Sequence, residues 1–500
     1  MATGLYWHAG ATANLVAAGP RPAPLQSAMR GVLPRLPASG RGGGVERSVS
    51  VVIPAHDAAR LLDACLAHLA ASTTPPLECI VVDDGSRDDT AAVARRWGAT
   101  VIETGSRRGP AHARNLGARH ANGDVLFFLD ADVCVYPGTV RAVATSFAAD
   151  PALDALIGSY DDAPESADFL SQYKNLMHSF VHQTGRREAS TFWSGCGAIR
   201  RDVFLEHSGF DESYDRPAIE DIELGYRLTK AGRRIVLDPA LTVKHLKRWT
   251  FWGLVKSDVF DRGIPWTELI LRDRCMPNDL NLQLSQRVSV ALVFVLLGLS
   301  TFAAVRWGGA FLTPLFALLF LQLSRYWLES ASPSDTKRGA ISVGLTMAGI
   351  ATLAVMNGMW ALALPLVLAY VVLFLRHRYA YRRGEPGRRA TSLFFAGFFV
   401  LVLLLTMAHF PKDPVVFACF AVVAAIIALN NQFYLFLASK RGRPFALAAI
   451  PFHLLYHLYN GFSFAYGFAR YTISRVTTPE PEVEPAPVAL EPVRRAANDD

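Results

Sequence analysis

The sequence predicts an α/β domain with a mostly parallel sheet, followed by an α-helical domain of several membrane spans. Three observations carry that expectation. Short apolar runs alternate with helical periodicity between residues 48 and 150. Polar clusters stand at the ends of those runs, where open α/β sheets bind ligands. Residues 288–470 are dominated by Leu, Ala, Val and Phe in long uncharged stretches.

The first strand is Ser48–Pro54, stopped by the proline, and Ala58–Ala70 has helical spacing. Leu77–Val82 reads as a second strand running into Asp83-Asp84-Gly85-Ser86, with a helix over Asp88–Trp97. Thr100–Glu103 is a third strand, and Gly109-Pro110 opens a helix to Ala121. Val125–Leu129 is the fourth, ending at Asp130-Ala131-Asp132, before a helix over Pro137–Ala148. Residues 152–250 are less regular. Ala167–Gln183 is amphipathic, Trp193–Gly197 reads as a flexible small-residue stretch between strand-like pieces, and Gly209-Phe210-Asp211 as a turn. Ile219–Glu223 opens a helix to Ala231, and Asp238–His245 is a last strand that delivers His245 ahead of Arg248-Trp249.

Residues 249–286 interleave Trp249, Phe251, Trp252, Phe260 and Trp266 with Lys256, Arg262, Arg272 and Arg274. Such a mixture suits helices lying at the headgroup level of a bilayer. Candidate spans follow at 288–305, 309–324, 340–356, 358–375, 392–409 and 414–435. Residues 445–468 read as a seventh span or as a re-entrant or interfacial helix, which makes a membrane domain over 287–470. Basic loops flank these runs at Lys337-Arg338, at Arg376 through Arg389 and at Lys440–Arg443. The positive-inside rule puts those loops and the α/β domain in the cytosol, at the inner (plasma) membrane. Residues 1–47, rich in Ala, Gly, Pro and Arg, read as a flexible tail without the pattern of a secretory signal. Residues 478–500, rich in Pro and Glu, read as disordered.

The formal net charge of +7 would by itself admit nucleic acid. The surplus sits in the loops between apolar runs, however, and no aromatic-basic repeat or zinc-finger spacing supports that partner. None of the six cysteines forms a C-x-x-C pair. They read as reduced thiols of a cytosolic domain and a membrane helix.

A pair of carboxylates one residue apart, Asp130 and Asp132, stands at the tip of a buried strand. It suits a hard divalent cation that in turn holds a diphosphate. Taken alone, Asp-x-Asp is as readily a solvated turn. The neighbouring motifs change that balance. Val51-Val52-Ile53-Pro54-Ala55-His56-Asp57, Val82-Asp83-Asp84-Gly85-Ser86-Arg87-Asp88, Gly109-Pro110-Ala111 through Arg114-Asn115, Asp130-Ala131-Asp132 and Glu220-Asp221 together resemble the family 2 glycosyltransferases over roughly residues 48–250. The resemblance implies a Rossmann-like GT-A domain over 48–248. It also implies inverting transfer of a sugar from a nucleotide-diphosphate donor, with Mg²⁺ or Mn²⁺.

On that resemblance, Pro54, Ala55, Asp57, Asp83, Asp84 and Gly85 would shape the nucleotide pocket. Asp83 or Asp84 would accept the imide N–H of a uracil-type base, with Asp84 the choice from the family pattern, which favours a UDP-sugar. Arg114 would donate to phosphate or base. Asp132 would ligate the metal directly, with Asp130 on ribose or a metal-bound water. Inversion needs a base for the acceptor hydroxyl. Asp221 of the Glu220-Asp221 pair is the candidate, although carboxylates in a first helical turn also favour the helix dipole without any catalytic role. His245 is a candidate for the metal or the diphosphate, and Arg248 and Trp249 for the acceptor or diphosphate. The chain departs from the family pattern at His56 and Asp57, where Tyr and Asn are usual. It also lacks the Gln of the Gln-x-x-Arg-Trp motif of processive synthases. The expected acceptor is a lipid or lipid-linked glycan of the cell envelope. A processive polysaccharide synthase with a membrane channel and a catalytically inactive membrane scaffold are the competing readings.

Overall fold

The computed structural model describes residues 47–314, 336–361, parts of 363–375, 388–410 and 412–477. Both terminal tails, much of the expected spans 309–324 and 358–375, and the arginine loop before Arg388 lie outside the described residues.

Eight strands form one sheet: β1 Val49–Ala55, β2 Glu78–Asp83, β3 Thr100–Glu103, β4 Val125–Leu129, β5 Val133–Val135, β6 Ala155–Tyr160, β7 Cys196–Arg200 and β8 Ile235–His245. Their order is β3-β2-β1-β4-β7-β6-β8-β5. The pairs β1/β2, β2/β3, β1/β4 and β6/β8 are parallel, whereas β4/β7, β6/β7 and β5/β8 are antiparallel. The sheet is therefore mixed, not mostly parallel as the sequence predicts. The difference arises at Trp193–Gly197. Instead of a flexible stretch, this segment turns into β7, where Cys196 pairs with Leu129. Gly197 belongs there because a Cβ would collide with the Phe192 ring at 2.6 Å. The sequence reading also passes over β5, only three residues long, and β6, buried along its whole length and so without polar alternation.

Helices cover both faces: α1 Ala59–Ala70, α2 Thr90–Arg96, α3 Pro110–His120, α4 Thr139–Ala149, α5 Phe169–Thr184, α6 Arg201–Glu206 and α7 Glu220–Lys230. β4 shows why two layers of helix are needed. Its side chains alternate between faces, so Phe127 and Leu129 enter a core with Leu62 and Leu66 of α1 and Phe147 of α4. Leu126 and Phe128 enter the other core with Ala118 of α3 and Leu224 of α7. Phe128 meets Phe192, Phe204 and Phe210 with ring centroids 6.4, 5.2 and 5.2 Å away. Buried on both faces, this strand anchors the carboxylates that follow it.

Beyond β8 come α8 Phe251–Lys256, a π-helical segment Ser257–Gly263 and α9 Ile264–Asp273. Then follow α10 Leu284–Trp307, α11 Thr336–Met356, α12 Arg388–His409, α13 Pro414–Leu429, α14 Asn431–Arg441 and α15 Arg443–Thr477. Among the described residues one helix, α10, is long and apolar enough to cross a membrane. The pair α13–α14 adds a second if taken as one broken span. The expected span 414–435 is thus bent by 70°. Asn430 sits at the break, its amide donating to the Ile426 carbonyl and to Ser289 Oγ of α10, both at 2.8 Å. A side chain that competes for its own helix's carbonyls favours a helix end over continuation.

The α/β domain and the helices are joined through α5. Phe169 and Tyr173 of α5 share one apolar cluster with Trp249, with Phe433 and Leu437 of α14 and with Phe452 of α15. At its border Lys174 Nζ donates to both oxygens of Asp258, at 2.7 and 2.8 Å, and Tyr459 Oη donates to Asp258 at 2.7 Å. All three side chains are buried. Breaking such a pair from one side strands a buried charge, which costs about 3–5 kcal/mol, whereas replacing both partners with apolar groups costs far less. Lys174→Met is therefore expected to lower the thermal midpoint of the full chain sharply. Lys174→Met with Asp258→Leu should recover most of the loss, as a thermal-denaturation double-mutant cycle would read.

Candidate active site

The site lies at the carboxyl edge of β1, β2 and β4, beside the point where the strand order reverses. The β1 and β2 tips are tied together. The Asp57 amide donates to Ser86 Oγ (2.9 Å), the Arg87 amide donates to Asp57 Oδ1 (2.8 Å), and His56 Nδ1 meets the Asp84 carbonyl at 2.8 Å. Asp57 holds φ of 48°, an uncommon conformation for a side-chain-bearing residue. Gly85, at φ 69°, is required at the turn, since a Cβ would lie 2.7 Å from the Arg107 amide.

The two acidic residues of the β2 tip have different tasks. Asp84 is 4% exposed and accepts from the amides of Arg108 and Gly109, both at 2.8 Å, and from Thr104 Oγ1 at 3.1 Å. It holds the loop that enters α3. Asp83 accepts from the Ser86 amide at 3.1 Å through one oxygen. Its other oxygen has no protein donor among the described hydrogen bonds, so the base-recognition role that the sequence reading assigns to Asp84 suits Asp83 better. Pro54 and Ala55 close β1 directly against this tip, through the register Pro54–Val82 and Ala55–Asp83.

Arg114, on α3, is 4% exposed. Its Nη1 donates to Glu220 Oε1 and its Nη2 to Asp130 Oδ1, both at 2.7 Å. The two carboxylates hold its proton more tightly than usual against the opposing effect of burial. Arg114 and Glu220, expected at phosphate and in catalysis, are thus engaged with each other. Glu220 Oε2 also accepts the Ala218 amide at 3.0 Å, which fixes the chain just ahead of α7. The bridge draws the β4 tip to the first turn of α7 and turns Asp130 toward the protein.

Asp132 faces the other way. It lies 3.5 Å from His245 Nε2. His245 reaches this position because β8 pairs with β5 in the register Val133–His245, and its ring stacks on Tyr160 at 4.2 Å and 11°. Burial tends to raise the Asp132 pKa, but the hydrogen bond and charge of His245, with Lys247, bring it below the usual carboxylate value. The expected donor set of Asp130, Asp132 and His245 does not assemble. Among the described residues no group of three or more His, Cys, Asp or Glu side chains is close enough to hold a metal. Asp132 and His245 form a two-donor edge, and carboxylate with imidazole suits Mn²⁺ or a similar divalent cation, with further positions left to ligand oxygens.

Asp221, half-buried next to Glu220, accepts from the Ser194 amide (3.1 Å) and Ser194 Oγ (3.2 Å) through one oxygen and from the Ile222 amide (2.8 Å) through the other. Burial and then the Glu220 charge push its pKa up to about 6, against the pull of Arg114. The last of these bonds is the cap that the dipole argument predicts. A carboxylate merely capping a helix does not need a pKa poised near neutrality, however. Sequence reasoning missed Ser194, Tyr160 and Trp193. Ser194 had a signal in the glycines after it, Gly195 and Gly197. The two aromatic residues had none.

Arg248 is 56% exposed and 3.8 Å from Asp168. Trp249 is buried in the interdomain cluster, its amide donating to Ser171 Oγ at 2.8 Å. Of the two residues expected at acceptor or diphosphate, Trp249 thus lies at the junction with the helices.

Residues 50–207 match the family described as glycosyl transferase family 2. The α/β domain is a family 2 glycosyltransferase domain. Validoxylamine A glucosyltransferase of Streptomyces hygroscopicus subsp. limoneus is 31% identical over 218 residues, covering 37% of this chain and 48% of that protein. Pre-mycofactocin glycosyltransferase of Mycobacterium tuberculosis is 30% identical over 232 residues, covering 44% and 47%. The chain thus spans about half the length of these relatives. Among solved structures, the mannosyltransferase PcManGT from Pyrobaculum calidifontis in complex with GDP-Man and Mn²⁺ aligns with a TM-score of 0.40 and 20% identity, over 66% of this chain and 87% of that one.

An Asp whose pKa is about 6 in the fold and near 3.8 when unfolded binds its proton more tightly in the native state. Stability is therefore lost as pH rises between those values, and the penalty persists above pH 6. Asp221→Asn is expected to raise the thermal midpoint at pH 8, by about 2–4 °C if roughly 1 kcal/mol is recovered. The gain should shrink as pH falls through 6 toward 4, measured by thermal scans of wild type and variant in parallel.

Proposed function

We propose that this protein is an inverting glycosyltransferase that moves a sugar from a nucleotide-diphosphate donor to a lipid or lipid-linked acceptor at the cytosolic membrane face. The observation that carries the reading is the difference in environment between two aspartates, Asp132 and Asp221. Asp132, kept ionised beside His245, suits a cationic partner of the diphosphate. Asp221, raised to about 6 beside Ser194, suits proton abstraction near neutral pH.

In this reading Asp83 and the backbone of Pro54 and Ala55 hold the base, with a UDP-sugar favoured. Asp132 and His245 would hold Mg²⁺ or Mn²⁺, which would supply positive charge to the departing diphosphate. Ser194 orients Asp221. As the acceptor oxygen forms its bond to the anomeric carbon, the bond to the diphosphate breaks and Asp221 takes the hydroxyl proton. Arg114 holds Asp130 and Glu220 in place, and its charge keeps Asp221 from rising further.

The membrane side of the reading rests on α10 and on the basic last turn of α14. Lys440 pairs with Asp162 at 2.8 Å, and Arg441 donates to Gln172 at 2.7 Å and to the Asp162 carbonyl. The basic turn, which the positive-inside rule assigns to the cytosol, thus touches the catalytic domain itself.

Membranes carrying the protein, incubated with labelled UDP-, GDP- and TDP-sugars and Mn²⁺, are expected to yield labelled product in the organic extract. Asp132→Ala and Asp221→Asn should each lower transfer by about 10²-fold or more. Wild-type turnover in either variant would remove the role assignment, and label confined to water-soluble polymer would favour a processive synthase.

The pH profile of kcat/KM should rise with pH through an acid limb near 6, because only ionised Asp221 accepts a proton. Arg114→Gln removes a cation that lowers the Asp221 pKa, so any residual activity should show that limb displaced to higher pH. A profile flat between pH 5 and 8 would count against Asp221 as the base.

A further inference from the structure

A cavity of about 340 Å³ lies between the catalytic domain and the helices, lined from α5, the π-helical segment, α9, α10 and α15. None of the motifs that mark the catalytic domain contributes to it. Its walls are mostly apolar, with Ile270 of α9, Val290 of α10 and Phe464 of α15 among them. Its polar members are unevenly matched. Lys174 is neutralised by Asp258. Arg262 and Arg287 also line the cavity, and among the described residues neither has a carboxylate within ion-pair distance. Arg287 makes only neutral contacts, to Asn278 at 3.1 Å and Met276 at 3.3 Å, and its Nε is buried without a partner. His457, fully buried in the cavity wall, has no hydrogen-bond partner for either ring nitrogen among the described residues. Unmatched cations and an unmatched imidazole in an apolar wall are costly unless a ligand completes them.

One end of the cavity meets the catalytic centre. His178 lines it, packs against Tyr160 at 4.5 Å and Trp193 at 4.7 Å, and Tyr160 in turn stacks on His245. Trp266, also in the lining, donates to Tyr226 Oη at 3.1 Å on α7, the helix that begins with Asp221. Arg262 is near enough to Asp221 for its charge to favour the ionised carboxylate. The other end lies between α10, the helix long enough to cross a membrane, and α15.

Resting on the transfer reading above, we propose that this cavity binds the acceptor as an anionic amphiphile. Its oxyanion sits at Arg262 and Arg287, its hydrocarbon chain lies between α10 and α15, and its hydroxyl is presented on the Asp221 side. The cation count selects an anionic head over a neutral one, and the apolar wall selects a chain over a free sugar.

The test uses the full chain in detergent and measures binding of four probes: farnesyl phosphate, oleate, farnesol and inorganic phosphate. Farnesyl phosphate and oleate are expected to bind saturably. Farnesol, which keeps a chain but has no charge, and inorganic phosphate, which has charge but no chain, should bind at least tenfold more weakly. Arg262→Gln should weaken farnesyl phosphate by tenfold or more, while the thermal shift produced by UDP with Mn²⁺ shows that the domain is folded. Filling the wall with Val290→Trp should weaken oleate and farnesyl phosphate together. Equal binding of farnesol and farnesyl phosphate would overturn the proposal, as would undiminished binding in both Arg262→Gln and Arg287→Gln. Inorganic phosphate binding as tightly as farnesyl phosphate would reduce the site to a free-anion site and overturn it as well. Should the amphiphiles fail to bind while wild type still consumes the donor and Asp132→Ala does not, the cavity assignment falls and the transfer reading stands. Donor consumption by Asp132→Ala would remove the transfer reading instead.

Discussion

The arrangement of the site depends on one buried guanidinium. Arg114 joins Asp130, at the tip of the most buried strand, to Glu220, at the first turn of α7. Two carboxylates on separate elements would repel each other across the gap. The cation converts that repulsion into a clamp, and its planar fork sets both distances. Asp132 and Asp221, each adjacent in sequence or one residue removed from a clamped carboxylate, inherit their positions from it. A buried ion triad is a weak source of net stability. Its value here is geometric, since it leaves one aspartate facing His245 and the other facing Ser194.

The same economy appears where the domain meets the helices. α5 carries the junction, with aromatic side chains packed on α14 and α15 and Lys174 set against Asp258 and Tyr459. Trp249 closes the end of the catalytic domain into this cluster. The catalytic edge is consequently held in a fixed relation to α10 and α15, and the walls of the cavity come from both sides of the junction. The α/β domain and the helices share one boundary, and the cavity proposed for an amphiphile lies along it.

Much of this was legible in the residues. The strands up to β4 and their helices follow from apolar runs closed by Pro, Gly and Asp, and their observed ends differ from the expected ones by only a few residues. Asp132, Asp221 and His245 were all singled out, and the structure brings Asp132 and His245 together. The allocation of partners was not legible. Arg114 has the chemistry to bind phosphate, and nothing in its neighbours announces two carboxylates contributed from positions 130 and 220. Asp83 and Asp84 are alike in sequence, and only the loop over Thr104–Gly109 distinguishes the filled carboxylate from the open one. Trp249 looks like a ligand platform until α14 and α15 are seen to cover it.

The sequence by itself determined what is local: which segments are strands or helices, where backbone must turn at Gly85, and which residue types stand at the strand ends. It also determined that an apolar helical region follows the catalytic domain. Only the tertiary structure decided pairing: the antiparallel entry of β7 beside β4, the bend at Asn430, the engagement of Arg114 and the ionisation of Asp221. The physical reason is one of range. Periodicity and turn chemistry act over a few residues and are written into neighbours along the chain. Burial, charge balance and hydrogen-bond satisfaction depend on groups a hundred residues apart, and they take their values only when those groups meet.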